Sequence, residues 1–212
     1  MGVGSAVRSR LGRLENPAIR LYRGVFISVG DLARTLSSTV DSPVLVGEIG
    51  CGDGVVINAL METWPTTEFI GVDPAPTVGR LFAGDSRRVR FQVATSADLL
   101  DEYENKFDVT LIVDVVHHVA DSERATVLQE AARLTVPGGV VVFKEWELRR
   151  GPAHLVAYCA DRFVSGDANV RFMKRAELES LVERAMPGWE TVLHTRIRPR
   201  WNNTLWVLRK PI

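Results

Sequence analysis

Three places in the chain could do chemistry. The first is Gly50, Gly52 and Gly54, spaced G-x-G-x-G behind the apolar VLVGEI and ahead of VVINALMETW. Bare glycines between a strand and a helix set backbone N–H groups and the positive end of a helix dipole beside a ligand. A tight turn that needs positive φ selects the same residue type. The second is Asp73, closing EFIGVD about 20 residues later, where a carboxylate can accept ribose hydroxyls. It can equally cap a helix ahead of Pro74. The third is the pair His117 and His118 behind DVTLIVDVV. Imidazole titrates near neutrality and can take a proton from a hydroxyl or an amine.

Weaker candidates lie downstream. Glu145 and Glu147 end the run GVVVFKEWE; each is a possible base, although charges at strand ends are usually solvated. If GPAHLVAYCADRFVSG is helical, His154, Tyr158 and Asp161 fall at i, i+4 and i+7 and make one polar stripe, facing either a substrate or water. RPRWNN offers Arg198, Arg200, Trp201, Asn202 and Asn203, a set that can bind an anionic or aromatic group by forked hydrogen bonds and stacking, or simply turn the chain.

The elements that must carry these residues alternate. Apolar positions at Ile19, Tyr22, Phe26, Val29, Leu32 and Leu36 predict a helix over Pro17 to Ser38, with a possible break at Gly24 or Gly30. Then VLVGEI, EFIGVD, VRFQVA, DVTLIVDV and GVVVFKEW read as strands separated by helical or Pro-interrupted stretches. Five strand-then-helix units predict an α/β fold with a doubly wound, mostly parallel sheet covered on both faces. KRAELESLVERAM predicts a helix, and ETVLHTRI with TLWVLRK predict an antiparallel C-terminal hairpin that brings the sheet to seven strands.

The glycine spacing departs from the dinucleotide fingerprint G-x-G-x-x-G, because the third glycine is one residue early and position 55 is Val55. EIGCGDG, an acidic residue followed by G-x-G-x-G, resembles instead the first motif of class I S-adenosylmethionine-dependent methyltransferases of the small-molecule type. DVTLIVDVVHHV resembles that family's fourth strand and following loop, and LTVPGGVVVF its Pro-Gly-Gly turn and fifth strand. The resemblance covers Pro43 to Trp146 well and the hairpin loosely.

It implies that S-adenosyl-L-methionine is the cofactor and S-adenosyl-L-homocysteine the product. Glu48 would lie near the methionyl amino group, with Gly50, Cys51, Gly52 and Gly54 around the methionine and ribose, and Asp73 and Pro74 at the ribose. Asp114 and Val115 would follow the fourth strand in the cofactor site. The family's acidic adenine contact falls on Thr95, so Thr95, Ser96 or Asp98 would serve adenine. His117 and His118 would base or shape the pocket, and Tyr22, Glu145, Arg198, Arg200, Trp201 and Asn202 would meet the substrate; apart from the resemblance, the chain's own polar stripe is expected to add His154 and Tyr158 to the catalytic set and Asp161 to the substrate contacts. The expected organisation is one methyltransferase domain: an N-terminal helical lid over 1–42, a cofactor core over 43–146, a helical substrate insert over 147–173, and a final helix and hairpin over 174–212.

Composition narrows the partners. Lys plus Arg and Asp plus Glu are both 26, so no positive excess offers itself to nucleic acid or an anionic membrane. No run of about 18 uncharged apolar residues occurs, so no spanning helix is expected. MGVGSAVRSRLGRLENP lacks an apolar core and does not read as a secretory signal, and Ala6 argues against myristoylation at Gly2. Two cysteines, Cys51 and Cys159, suit a reducing cytoplasm without a disulfide framework. The loop DVVHHV lacks the Asn/Asp-Pro-Pro-aromatic sequence associated with methylation of planar amide or base nitrogens. The expected acceptor is therefore a small molecule, with oxygen slightly ahead of nitrogen or carbon, no metal is expected, and the chain is expected as a monomer or homodimer. A cofactor-binding protein that transfers no methyl group is the alternative.

Overall fold

The computed structural model describes residues 28–149, 170–198 and 202–212. Strands β1 (Leu45–Ile49), β2 (Glu68–Asp73), β3 (Val89–Val93), β4 (Phe107–Val113), β5 (Thr135–Trp146), β6 (Glu190–Arg196) and β7 (Asn203–Arg209) form one sheet in the order β3-β2-β1-β4-β5-β7-β6. The first five pair in parallel, and β7 runs antiparallel between β5 and β6. The doubly wound sheet and its antiparallel hairpin are as the sequence predicts.

Helix α1 (Val29–Ser37) is N-capped by Ser28, whose hydroxyl accepts from Asp31 N. It buries Leu32, Ala33 and Leu36 beside α2 (Val55–Thr63), over Val46, Leu111, Val142 and Val207. The opposite face carries α3 (Leu100–Tyr103), α4 (Arg124–Leu134) and α5 (Arg175–Ala185), packed on Ile49, Ile112, Val141, Phe143 and Leu208. Residues 141 and 143 thus face one layer and 140 and 142 the other, the period of two that a sheet buried on both faces requires. Among the described residues, no helix is long and apolar enough to cross a membrane.

The sequence expectation needs correcting in four places. Of the helix expected over Pro17 to Ser38, residues 17–27 lie outside the described residues, and the described part starts at Val29. No helix joins β2 to β3: Pro74, Pro76, Gly79 and Gly84 leave turns and a single 3-10 turn, Ser86–Arg88, because proline lacks the N–H a helix interior needs. Pro137, Gly138 and Gly139 lie inside β5, not ahead of it. Phe107 pairs with Thr135 and Val109 already with Val140, so the extra residues bulge out, with Gly138 at φ +78°. Glu145 and Glu147 are not solvated strand-end charges; both are buried.

The chain winds outward from β1 through β2 to β3 and then returns to β4 on the other side of β1. Such a reversal opens a crevice at the carboxyl ends of β1 and β4, the place where open α/β sheets take their ligands.

Candidate functional site at the carboxyl edge

The β1 side of the crevice is built from backbone. Gly50, Gly52 and Gly54 adopt φ of +70°, +51° and +80°, which L side chains resist. Gly50 has a second reason to be glycine: a Cβ there would lie 2.5 Å from Cγ2 of Val115 in the loop after β4. The N–H groups of this turn, however, are largely spent within the protein. Gly50 and Cys51 donate to Val72 O at 2.8 and 3.0 Å, and Gly54 donates to Cys51 O at 2.9 Å. Gly52 N donates to Asp73 Oδ2 at 3.0 Å, while Asp73 Oδ1 accepts from Ala75 N at 2.8 Å. The loop therefore contributes a close approach of Val115 and a fixed Asp73 more than free donors. A carboxylate has about four lone-pair sites, so Asp73 keeps capacity for two further hydroxyls.

Around this loop, Glu48 is enclosed in β1 between Gly71 and Leu111. Burial, followed by the charges of Glu48 and Asp73, pushes the Cys51 thiol far above its ordinary range, so it packs as a small protonated side chain. Next to β3, Asp98 Oδ2 accepts from both Thr95 N and Thr95 Oγ1 at 2.7 Å, and these bonds hold its carboxyl below the usual range, the backbone bond first. Ser96 Oγ donates to Glu130 Oε2 at 2.5 Å. The side chains expected at adenine are thus already engaged in local bonds.

The β4 side of the crevice is built from buried charge. Glu145 Oε1 accepts from Val115 N and Val116 N at 2.9 and 2.7 Å, and Oε2 lies 2.7 Å from His117 Nδ1. Burial alone would raise the Glu145 carboxyl. The net direction is down, because His117, Lys144 and the Val116 N–H all favour the ionised form. An ionised carboxylate only accepts, so the Nδ1 that faces Glu145 carries a proton, and Nε2 is the ring nitrogen turned away from the carboxylate. His117 is buried, stacks on Phe172 at 4.8 Å, lies tilted against the half-buried His118 at 4.1 Å, and accepts Arg171 N on its carbonyl at 3.0 Å. Buried Arg124 ties this loop to the returning chain by donating to Val119 O and Arg171 O at 2.9 and 3.1 Å.

Asp114 begins that loop at φ +55°, and its Oδ2 is paired with the ammonium of Lys144, which is fully buried. Asp114, His117 and Glu145 each bring one polar atom within 4.8 Å of the others. Of the other expected contacts, Arg198 is exposed, its N–H donating to Asp31 Oδ2 and its carbonyl accepting from Ser28, which moors the hairpin turn to α1. Asn202 is buried and its carbonyl accepts from Glu147 N at 2.7 Å. Tyr22, His154, Tyr158, Asp161, Arg200 and Trp201 lie outside the described residues. Sequence reasoning missed Lys144, Arg124 and Phe172. The strand period could have drawn attention to Lys144, which breaks an inward-facing apolar row.

Residues 46–139 match the family described as "Methyltransferase domain". The ubiquinone biosynthesis O-methyltransferase of Azorhizobium caulinodans is 34% identical over 139 residues, covering 63% of this chain and 49% of that protein. Its namesake from Pseudomonas syringae pv. tomato is 29% identical over 120 residues, covering 55% of this chain and 50% of that one. The chain thus spans about half the length of these curated relatives. Among solved structures, TnmH superposes with a TM-score of 0.70 at 25% identity, over 96% of this chain and 59% of that one. The Burkholderia thailandensis 1,6-didemethyltoxoflavin-N1-methyltransferase, solved with 1,6-didemethyltoxoflavin and S-adenosylhomocysteine, shares the fold with a TM-score of 0.69 at 19% identity, over 98% and 88%. The match over residues 46–139 is thus to a methyltransferase domain, and the strand order is the fold that these solved structures share.

Proposed function

We propose that this chain transfers a methyl group from S-adenosyl-L-methionine to a small-molecule acceptor, with oxygen favoured as the methylated atom. The observation that carries the reading is the His117–Glu145 pair in the same loop whose Val115 lies against Gly50 of the glycine turn. The residues present fit the cofactor. Asp73, at the glycine turn, is held by two N–H bonds with acceptor capacity to spare for a ribose. Gly50, Cys51, Gly52 and Gly54 would line the methionine and ribose portion, with Glu48 and Pro74 adjoining. When bound, the cofactor supplies an electrophilic sulfonium methyl.

What the chain adds is position and a proton acceptor. Holding an acceptor at near-attack range supplies much of the acceleration. A hydroxyl must also lose its proton, and His117 is equipped to take it: Glu145 fixes the tautomer, turns the ring, and stabilises the imidazolium that forms. His118 shapes the same wall. The names of the relatives, a ubiquinone biosynthesis O-methyltransferase and a 1,6-didemethyltoxoflavin-N1-methyltransferase, support a small-molecule acceptor. Tyr22, His154, Tyr158, Asp161, Arg198, Arg200, Trp201 and Asn202 remain the proposed acceptor contacts, and a cytoplasmic monomer or homodimer the proposed state.

Calorimetry with S-adenosylhomocysteine tests the cofactor half. Gly50→Ala and Asp73→Ala are each expected to weaken binding by about tenfold or more, the scale of one lost charge-assisted contact. Unchanged affinity in both variants sinks the assignment. Incubation with methyl-labelled cofactor and candidate small molecules tests the transfer; tight binding with no labelled product in any of them favours the non-methylating alternative.

A further inference from the structure

The cluster at the start of the β4 loop holds more than a histidine and its carboxylate partner needs. Lys144 is fully buried, on the sheet face opposite Glu145 by the alternation of β5, yet its ammonium reaches Asp114 Oδ2 at the strand end. Asp114 is drawn into the same spot by backbone, its N–H donating to Lys144 O at 2.9 Å, and it takes φ +55° there. The second carboxylate oxygen, Oδ1, is buried and accepts no hydrogen bond among the described residues. Left-handed backbone at a residue other than glycine and a buried acceptor with no donor are both unfavourable, and here both fall on one residue at the crevice.

Its position says which donor belongs there. β4 pairs with β1 as far as Ile112 and Ile49, so Asp114 lies level with the glycine turn, one residue before the Val115 that touches Gly50. On the reading proposed above, the methionine end of the cofactor lies against this turn, and that end carries an ammonium. We propose that Asp114 Oδ1 accepts from the cofactor's α-ammonium, and that Lys144 is the positioning residue that makes this possible. By occupying Oδ2, Lys144 fixes the carboxylate's rotamer, leaving one oxygen for one cation. The pair is a built-in half of an ion-pair network that the ligand completes. This adds Lys144 to the site and gives Asp114 a specific partner.

The test uses two nucleosides, S-adenosylhomocysteine, which carries the ammonium, and 5′-methylthioadenosine, which lacks it. Titration calorimetry of the full chain is expected to show Lys144→Met and Asp114→Asn each losing on the order of tenfold in affinity for the first and less than about twofold for the second. If K144M does not fold, D114N, which keeps the shape of the side chain, carries the same expectation alone. Equal losses for both nucleosides, or no loss for S-adenosylhomocysteine, overturn the assignment while leaving the cofactor reading intact. A parent chain that binds neither nucleoside overturns both.

Discussion

The two sides of the crevice solve the same problem with opposite materials. On the β1 and β2 side, side chains are removed: three glycines at positive φ let neighbouring side chains close in, and the turn's N–H groups fold back on Val72, Cys51 and Asp73. On the β4 and β5 side, charges are brought in and buried: Asp114, His117, Lys144 and Glu145 sit within two adjacent strand ends. A wall of backbone tolerates little change of shape. A wall of buried charge tolerates little change of pairing. The difference teaches that shape and electrostatics at this edge are specified separately, and single substitutions should separate them.

The largest effect is expected on the charged side. Glu145→Ala removes at once the buried acceptor shared by two loop N–H groups and the His117 ring. Breaking such a buried arrangement costs about 3–5 kcal/mol, to be read from urea unfolding. A loss below about 1 kcal/mol, the value of an ordinary exposed pair, would show that this wall is not held by its charges.

On the backbone side, Gly50→Ala is expected to cost about 2–5 kcal/mol, combining about 1–2 for the left-handed backbone with about 1–3 for the contact with Val115. The contributions can be separated because only one involves a partner. In Gly50→Ala with Val115→Ala, the packing part is recovered beyond additivity and the backbone part remains. Full recovery would mean that φ +70° is not what demands glycine at position 50.

Legibility in the sequence follows the same divide. The sheet and its hairpin were readable, because period-two apolar runs and turn residues are local. The glycine wall was readable for a related reason: only glycine suits those φ values, so the residue type announces the geometry. The charged wall was not. Glu145 and Lys144 at a strand end look like solvated charges, since nothing in KEW says that the strand end is roofed and flanked by β4 and β7. That information is in the strand order. The segment between β2 and β3 was readable as Pro-interrupted for the same local reason, the prolines and glycines of 74–84.

A change of pH probes the charged wall without mutation. The folded Glu145 carboxyl sits below its ordinary value, so its stabilising contribution is complete at neutral pH, above the unfolded pKa, and is lost as pH falls through the lower folded value. Urea midpoints are expected to decline from about pH 5 downward, and the decline should shrink in Glu145→Gln. An identical slope in parent and variant would place the acid sensitivity elsewhere.

The smallest expected effect supplies the control for that assignment. His194 stacks on Trp206 at 4.4 Å on the hairpin, away from the crevice. Burial, and then the charge of Arg175, lowers its pKa below the usual imidazole value. A histidine that resists protonation when folded adds stability that is complete above the unfolded pKa and is lost as pH falls below it, before the carboxylates titrate. The parent's melting temperature is therefore expected to slip slightly between about pH 7 and pH 5.5, and His194→Phe, which keeps a ring against Trp206, should flatten that slip. If the slip survives the substitution, the protonation that drives it belongs to another group, and the crevice pair of His117 and Glu145 becomes the place to look.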